Sequence, residues 1–430
     1  MYNKAIVFCL FLAFMTGCVT EHRDVKNDYS SPNPAECDIK SKPFFPLISW
    51  QTRAMDRSDI EEQIDCGITI TVVTQPTELQ FCEEYKQKVF VRGLDHLVFA
   101  AKKNVSDDVM KKEEAKLRKT LKLYRSNQLI LGFCLWDEPG KATFPIYEKS
   151  LAVMKAECPD KIVYTNIFPN YSMPYQHGFK DYREYVENYC DLIAKYPDPL
   201  LVYDSYVNKN TYYGKSSKEL LCKFLDNLET IRDVSQEKGM PFWNTVLAAA
   251  HDYHPDPERA DIYWEVFTSL AYGSRGITYF FWHSRPAFAF QGGPTDIFHQ
   301  KTPIWYYIRE CNFQVRTLAP ILMKLKSIGV FYSVIPADAA LFTDFKKLPG
   351  RLVEDLKCEL GRSNFLVGEF KHEDGSDWCM IVNLDVENIA HFRIKTVGNR
   401  KVQSYNNYLG TPCTLDTWLK PGQGKIYKIE

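Results

Sequence analysis

The chain has 430 residues, of which 45% are hydrophobic and 14% aromatic, and its formal net charge is −1. This is an ordinary globular composition with room for one large domain and a smaller one. Because 53 basic and 54 acidic residues nearly cancel and form no basic stripe, no nucleic-acid partner is expected.

The first segment has the features of an export signal. Lys4 precedes an apolar stretch, Ala5–Met15, which is too short to span a bilayer and ends in Thr-Gly-Cys18. This ending resembles the bacterial lipoprotein box, and the resemblance implies cleavage before Cys18 and lipidation of that cysteine. A conventional soluble secretory signal is the alternative. We therefore expect residues 1–17 to be a signal peptide and residues 18–42, which are polar and aperiodic, to be a flexible tether.

The same segment sets the expected location, which is the bacterial cell envelope. A lipid at Cys18 would make the membrane a partner and would hold the protein at the outer membrane, facing the periplasm or the surface. Apart from Cys9 and Cys18, eleven scattered cysteines remain, with no CxxC pair and no histidine at a metal-like offset. No metal site is expected, whereas export would permit one or two disulfides of undefined pairing.

The central part of the chain alternates short apolar runs with amphipathic stretches. The helix-like stretches are residues 106–126, 141–158, 216–239 and 256–273. The strand-like runs are residues 44–51, 67–75, 88–95, 129–138, 161–170, 200–207, 241–250 and 275–284. Alternation of this kind implies parallel strands joined by right-handed crossovers, and eight units predict a closed (β/α)8 barrel over residues 43–325. No GxGxxG follows the first strand, so neither a dinucleotide fold nor a cofactor is predicted.

The pattern changes after residue 325. Short alternating runs are separated by Gly, Asp and Asn, and "KHEDGSDW" at residues 371–378 predicts a hairpin turn. Residues 326–430 are therefore expected to form a small antiparallel β-sandwich that caps the barrel or packs against its side. A carbohydrate-binding role for this region is an alternative.

Active sites of (β/α)8 enzymes lie at the carboxyl ends of the strands. Aromatic rings can stack on the apolar faces of a sugar, while amides and carboxylates bind its hydroxyl groups. The predicted strand ends combine these groups, so the sequence indicates a carbohydrate ligand. The candidate substrate-binding residues are Trp50, Arg92, Trp136, Asn166, Tyr206, Trp243, Asn244, Trp282 and His283, and the candidate catalytic residues are Asp137, Glu138 and Asp204.

The fourth strand, "LGFCLWDEPG", supplies the strongest candidate. If side chains alternate regularly, Glu138 points into the barrel together with Trp136 and Cys134. Asp137 then points outward, unless the chain bends before Pro139. An apolar wall would raise the pKa of Glu138 and keep it protonated, as a general acid for glycosidic bond cleavage requires.

Each candidate also has a structural alternative. Asp137 and Glu138 could cap the following helix or pair with an arginine at the rim. Asp204 could order a loop, and His283 could be a hydrogen-bonded core or rim residue. Arg92 could pair with a neighbouring carboxylate, such as that of Asp95 or Glu138, or bind an acidic group on a sugar.

Three motifs together resemble the (β/α)8 glycoside hydrolases: "WDEPG", "PLLVYDSY" and "SLAYGSRGITYFFW". They are most similar to exported or lipid-anchored barrel proteins of carbohydrate-degrading bacteria that carry a C-terminal β-sandwich. The resemblance covers most of residues 44–430. It implies a glycosidase of polysaccharide degradation, with Glu138 as general acid/base and Asp137 or Asp204, or both, assisting.

Two branches of this superfamily differ in their second catalytic group. The cellulase- and β-galactosidase-like branch has Asn-Glu on strand four and a Glu on strand seven, whereas this chain has Asp137 and no Glu in residues 241–254. The hexosaminidase-like branch has Asp-Glu on strand four, and the chitinase-like branch has Tyr-Asp on strand six, as at Tyr203-Asp204. Either analogy implies a retaining reaction assisted by the substrate's acetamide. If Asp204 serves Glu138 directly, the separation of the carboxyl groups decides between retention and inversion.

Two other functions fit the same sequence. A catalytically degenerate barrel could bind glycans at the cell surface, an alternative that the missing strand-seven glutamate favours. A different barrel enzyme, such as a lyase or an esterase, is the third hypothesis. No GxSxG elbow is present, which argues against the esterase.

Overall fold

A computed structural model describes residues 38–50, 55–206, 217–251, 254–284, 290–336, 345–360 and 363–430. The predicted signal peptide, Cys18 and most of the predicted tether lie outside the described residues. The boundary predicted at residue 43 needs a correction, because Ile39–Ser41 already forms a 3-10 helix and Ile39 is buried. Apolar Ile39 packs so closely on Gly67 that a β-carbon there would lie 2.4 Å from it. Residues Ile39–Glu430 form one compact unit.

The barrel predicted from the alternating runs is confirmed. Its strands run parallel in chain order, and β9 pairs with β1 to close the ring. The short strands β8 and β10 form a separate antiparallel ribbon. In chain order the strands are β1 (Leu47–Ser49), β2 (Ile70–Val73), β3 (Lys88–Val91), β4 (Ile130–Asp137), β5 (Ile162–Ile167), β6 (Leu201–Asp204), β7 (Phe242–Leu247), β8 (Ala250–His251), β9 (Ile277–Phe280) and β10 (Phe290–Gln291).

Helices lie between the barrel strands. Helix α1 begins with a capping box, in which Asp56 and Asp59 each accept the main-chain N–H of the other. Helix α9 ends at Gly273, whose φ of +100° suits glycine. The helices are α1 (Arg57–Asp65), α2 (Pro76–Glu84), α3 (His96–Lys102), α4 (Asp107–Tyr124), α5 (Phe144–Glu157), α6 (Pro174–His177), α7 (Tyr182–Ile193), α8 (Ser217–Lys238), α9 (Arg259–Tyr272) and α10 (Pro303–Leu322).

Two further features concern the helices and the cysteines. Within the described ranges, no helix combines the length and the apolarity needed to cross a membrane. The ten cysteines of the same ranges are all free thiols.

The barrel interior is packed with side chains, so the barrel is a core rather than a pore. Inward side chains of the strands form one apolar cluster, which includes Val72, Phe90, Tyr164 and Trp243. Trp243 fits because Gly276 faces it: a β-carbon on that glycine would lie 2.7 Å from the indole. This packed layer forms the floor beneath the carboxyl ends of the strands.

The C-terminal region consists of two antiparallel sheets, as predicted. One has the strand order β11-β13-β14-β19-β16-β17 and the other β12-β15-β18. The predicted turn at residues 371–378 joins β13 to β14 as a hairpin. The strands are β11 (Leu325–Tyr332), β12 (Val353–Leu360), β13 (Phe365–His372), β14 (Asp377–Asn383), β15 (Ala390–Thr396), β16 (Val402–Tyr405), β17 (Pro412–Cys413), β18 (Trp418–Leu419) and β19 (Gly424–Ile429).

The larger sheet uses its two faces differently. Phe365 and Val367 face the smaller sheet, whereas Leu366 and Phe370 join the core that contains α9. The approach is close, because a β-carbon on Gly368 would lie 2.0 Å from the carbonyl oxygen of Ala271. The sandwich therefore packs against the side of the barrel rather than over its mouth.

Candidate active site

A cavity of about 430 Å³ opens at the carboxyl ends of the barrel strands. It brings together all three predicted catalytic residues and several of the predicted substrate-binding residues. Its lining consists of Trp50, Asp137, Glu138, Tyr164, Asn166, Tyr171, Asp204, Tyr206, Thr245, His251, His254 and Phe280.

The end of β4 departs from the regular alternation that the sequence suggested. Cys134 pairs with Tyr164 and Asp137 with Asn166, so β4 contains one more residue than β5 over this stretch. A bulge of this kind shifts the following side chains to the opposite face. Asp137 therefore faces the barrel in register with Asn166. The outward direction expected from regular alternation does not hold, and the alternative left open, an irregular chain before Pro139, describes this strand end.

The backbone at this bulge is held by two hydrogen bonds that it donates to acceptors at the neighbouring strand ends. Trp136 has a φ of +61° and Glu138 one of +49°, both in the left-handed region that non-glycine residues rarely adopt. The Trp136 N–H donates to Asp95 Oδ1 at 2.7 Å, and the Glu138 N–H donates to the Asn166 carbonyl at 2.8 Å. These bonds fix a conformation in which consecutive carboxylates, Asp137 and Glu138, both reach the cavity.

Glu138 and Asp204 are neighbouring acids whose pKa values are both raised. Desolvation by burial, reinforced by the charge of Asp137, raises the pKa of Glu138 to about 7. Desolvation also raises the pKa of Asp204 well above its ordinary range, and repulsion from Glu138 and Asp137 adds to the effect. Because neighbouring carboxylates resist carrying two charges, this pair retains a proton near neutral pH.

Asn166 links the carboxylates. Its Oδ1 accepts a hydrogen bond from Thr245 Oγ1 at 3.2 Å, which directs its amide N–H groups away from Thr245. Burial raises the pKa of Asp137, while Arg92 and the hydrogen bond from Asn166 oppose that rise. The Asn166 side chain also lowers the pKa of Asp204 slightly against the larger effect of burial. One amide therefore lowers the pKa of both aspartates.

An aromatic wall completes the cavity. Tyr206 stacks on Phe280 with ring centroids 5.8 Å apart, and the rings of His251 and His254 meet Tyr206 edge-on at 5.3 and 5.4 Å. Burial and the neighbouring His251 lower the pKa of His254 to about 4, so the His254 ring is uncharged at neutral pH. Sequence analysis predicted Tyr206 but missed the other three residues.

Other missed residues had a signal in the sequence. Thr245 lies two positions after the inward Trp243 on β7, so alternation alone places it on the same face. Tyr164 precedes Asn166 by two residues on β5 in the same way. The two histidines sit in "HDYH", just beyond the seventh predicted strand, where the β8 ribbon could not be foreseen.

Two of the predicted substrate-binding residues on β7 do not reach the cavity. Trp243 points inward but lies in the floor, against Phe90 and Tyr164. Asn244 points outward and its Nδ2 donates to Ser269 Oγ on α9 at 2.7 Å. Both assignments are corrected: Trp243 is a core residue, and Asn244 bonds to a surrounding helix.

The two residues predicted from strand eight are also buried away from the cavity. Trp282 is fully buried, and its Nε1 donates to Glu62 Oε2 at 2.9 Å. His283 is equally buried and bonds through Nδ1 to Thr295 Oγ1. The reason is that β9 ends at Phe280 and Phe281 fills the barrel interior, so Trp282 turns outward.

Glu62, the partner of Trp282, is a buried acid outside the cavity. Desolvation raises its pKa to about 8, and the hydrogen bond from Trp282 offsets only part of that rise. The uncharged form therefore predominates at neutral pH. The hydrogen bond from Trp282, which links α1 to the chain that follows β9, gives this carboxyl a structural role.

A second cavity of about 210 Å³ adjoins the first and contains the two remaining predicted residues, Arg92 and Trp136. The Arg92 guanidinium carbon lies 4.6 Å from the centre of the Trp50 ring. Trp50 and Asp137 line both cavities. The full lining is Trp50, Arg92, Asp95, Phe99, Cys134, Trp136 and Asp137.

One group of side chains in the described ranges has the spacing of a metal site. Asp56, Asp59 and His299 place ligand atoms within 4.8 Å of one another. The two aspartates already form the capping box of α1, and His299 Nδ1 lies 3.2 Å from Asp59 Oδ1. This group is explained by helix capping and lies outside both cavities.

Searches with family models and among curated proteins find no match to this chain. Solved structures do match. A β-galactosidase from Bacillus circulans sp. alkalophilus aligns with a TM-score of 0.63 at 9% identity, covering 91% of this chain and 100% of that one. A catalytic mutant of a GH42 β-galactosidase from G. stearothermophilus gives 0.59 at 8% identity, covering 90% and 98%.

A family 5 glycoside hydrolase from Bacteroides vulgatus is a third match, with a TM-score of 0.51 at 10% identity over 90% of this chain and 89% of that one. At such identities the likeness concerns the fold. The chain therefore shares its architecture, a (β/α)8 barrel with further β-structure, with solved glycoside hydrolases.

Proposed function

We propose that the protein is a glycoside hydrolase that cleaves an oligo- or polysaccharide. The observation that carries the proposal is the convergence of Asp137, Glu138 and Asp204 on one cavity at the catalytic end of the barrel. Cleavage of a glycosidic bond needs a protonated acid at the leaving oxygen and a second group at the anomeric carbon. The aromatic wall supplies the apolar surface that a sugar ring packs against.

Glu138 is the general acid and then the general base. Its pKa of about 7 leaves it substantially protonated at neutral pH, so it can donate a proton to the departing oxygen. Once it has given up that proton, the carboxylate can activate water. Asp137 lies so close to Glu138 that the two carboxyls cannot both ionise freely. Glu138 therefore keeps its proton until the substrate takes it.

The cavity offers two groups for the positive charge at the anomeric carbon. Asp204 Oδ1 is buried and has no hydrogen-bond partner among the described residues, which suits a group that awaits a substrate. In this route Asp204 serves directly as nucleophile or base. In the second route the substrate's own acetamide attacks, and Asp137, which the bulge turns inward, holds its N–H.

Glu138→Gln tests the assignment, because glutamine keeps the shape of the side chain and loses the proton. Release of reducing sugar from a panel of natural glycans should fall at least a hundredfold, within the range that general acid catalysis supplies. Glu148→Gln on α5 is a matched control and should keep full activity. Full activity in Glu138→Gln would refute the proposal.

The choice between the two routes rests on the substrate and the product. If only N-acetylated sugars are cleaved and the anomeric configuration of the product, read by NMR, is retained, the acetamide route holds. Cleavage of sugars without an acetamide assigns the step to Asp204.

The second candidate function is glycan binding by a degenerate barrel. It is favoured by the lack of a glutamate in residues 241–254, where the cellulase- and β-galactosidase-like branch carries its nucleophile. Binding of glycans without turnover across the panel would support it. Turnover that depends on Glu138 would reject it.

We also propose that the chain is exported and anchored through a lipid on Cys18. The support is the apolar stretch that ends in Thr-Gly-Cys18. Labelling of the bacterial cells with a radioactive fatty acid should tag the wild-type chain and leave Cys18→Ala unlabelled.

A further inference from the structure

We propose that the second cavity, between Trp136, Phe99 and Arg92, binds the sugar next to the one held by the catalytic carboxylates, and that this sugar is uncharged. The inference rests on the proposed function for the chemistry but concerns the length and charge of the ligand. It implies that the protein recognises at least two linked sugars.

The first support is that the cavities are adjacent. Trp50 and Asp137 line both of them, so the two spaces lie next to each other at the rim. A sugar seated against Asp137 and Glu138 is therefore next to the second cavity. A neighbouring ring of the same glycan can occupy it without moving the barrel wall.

The second support is the aromatic surface at its mouth. Phe99 on α3 is 55% exposed, although a large apolar side chain is usually covered. Its ring lies 5.3 Å from that of Trp136 in an edge-to-face arrangement, which fixes the orientation of both rings. Lys102 Nζ lies 4.1 Å from the centre of the Trp136 ring and fixes it further. The exposed ring of Phe99, held in place against the half-buried ring of Trp136, suits the apolar face of a sugar.

The third support is the balance of charge, which decides between a neutral and an acidic sugar. The Arg92 cation lies near two carboxyls, Asp95 and Asp137. Burial raises the pKa of each carboxyl, and the charge of Arg92 opposes part of that rise. A carboxylate on the ligand would meet these two acids as well as the arginine. Hydroxyl groups can bond to donor and acceptor alike, so the cavity favours an uncharged sugar.

Binding by the intact protein tests the inference separately from catalysis. Calorimetric titrations would compare mono-, di- and trisaccharides of neutral gluco-, galacto- and manno-configured glycans with oligogalacturonides. We expect the best neutral series to gain at least tenfold in affinity when the second sugar is added. Phe99→Ala should reduce that gain by a factor of about three to ten, the range measured for aromatic contacts. Phe44→Ala, which removes a similarly exposed ring elsewhere, should leave the gain unchanged.

The outcomes separate the two proposals. A gain that depends on Phe99 without any turnover refutes the hydrolase and upholds the second sugar site. Turnover with affinity that is independent of Phe99 and of glycan length overturns the site and leaves the hydrolase standing. Tighter binding of oligogalacturonides than of every neutral series overturns the preference for an uncharged sugar, and absence of binding across the panel overturns the inference as a whole.

Discussion

The main-chain N–H of Trp136 donates a hydrogen bond to the carboxylate of Asp95 across 2.7 Å, although the two residues are 41 positions apart in the chain. Asp95 lies between β3 and α3, and Trp136 lies in the bulge of β4. The bond therefore joins two neighbouring strand ends at the rim. It holds the backbone that presents both Asp137 and Glu138 to the larger cavity.

Removal of this acceptor should impair both stability and catalysis. Asp95→Ala leaves the Trp136 N–H without its partner, and we expect a loss of about 1–3 kcal/mol in the free energy of unfolding. Activity should fall at least tenfold because the bulge relaxes. Asp95→Asn retains an acceptor oxygen and should stay closer to the wild type. Equal denaturant stability of Asp95→Ala and wild type would contradict this role.

The pH dependence of catalysis should reveal the proton on Glu138. Because the pKa of this general acid is about 7, kcat/KM should fall as pH rises through that value. Burial is the larger cause of the raised pKa and the charge of Asp137 the smaller one. Asp137→Asn should therefore lower overall activity and move the descending limb to lower pH. A limb that stays in place in this variant would exclude the coupling.

Stability should depend on pH through Glu62. Its pKa is raised from 4.5 in the unfolded chain to about 8 in the native state, so the native state binds one more proton between these values. The free energy of unfolding is then highest below about pH 4.5 and declines until pH passes 8. Glu62→Gln, which can still accept from Trp282, should flatten this decline. Urea titrations at pH 5 and 8.5 measure it.

Glu61→Gln is the control for that experiment. Glu61 is the exposed neighbour of Glu62 on α1, and its replacement should leave the slope of stability against pH as in the wild type. If Glu62→Gln and Glu61→Gln show the same slope, Glu62 does not carry the effect.

The contact between the sandwich and the barrel should tolerate no added methyl group. Gly368→Ala would place a β-carbon 2.0 Å from the Ala271 carbonyl, and overpacking of this kind typically costs about 1–3 kcal/mol. Gly375→Ala in the β13–β14 turn meets no atom within 4 Å and has only its left-handed φ of +86° against it. Thermal unfolding should show the larger loss for Gly368→Ala. The reverse order would contradict close packing at this interface.

The barrel could be predicted because its signals are local and repeated. Apolar runs and amphipathic stretches alternate along the chain, and the rule that parallel strands need crossovers turns this alternation into a closed ring. The same rule brought Asp137, Glu138 and Asp204 to one rim. No detailed contact was needed for that step.

The finer assignments failed where a distant residue decides the backbone. The bulge that turns Asp137 inward is held by Asp95, and nothing within "LGFCLWDEPG" reveals that partner. Trp282 turned outward because Phe281 fills the barrel interior, a packing choice that regular spacing does not express. His251 and His254 reached the cavity through the β8 ribbon, which is too short to leave a periodic pattern.

Helix α9 gives the two parts of the molecule a common wall. Its residues from Ile262 to Tyr272 are all buried, since the barrel covers one side and the larger sheet of the sandwich covers the other. An outer helix of a barrel usually keeps one face in water. A chain shortened after α10 would turn an apolar face of α9 to solvent, so the barrel cannot be detached as a working unit. The barrel and the sandwich should melt together, in one cooperative transition.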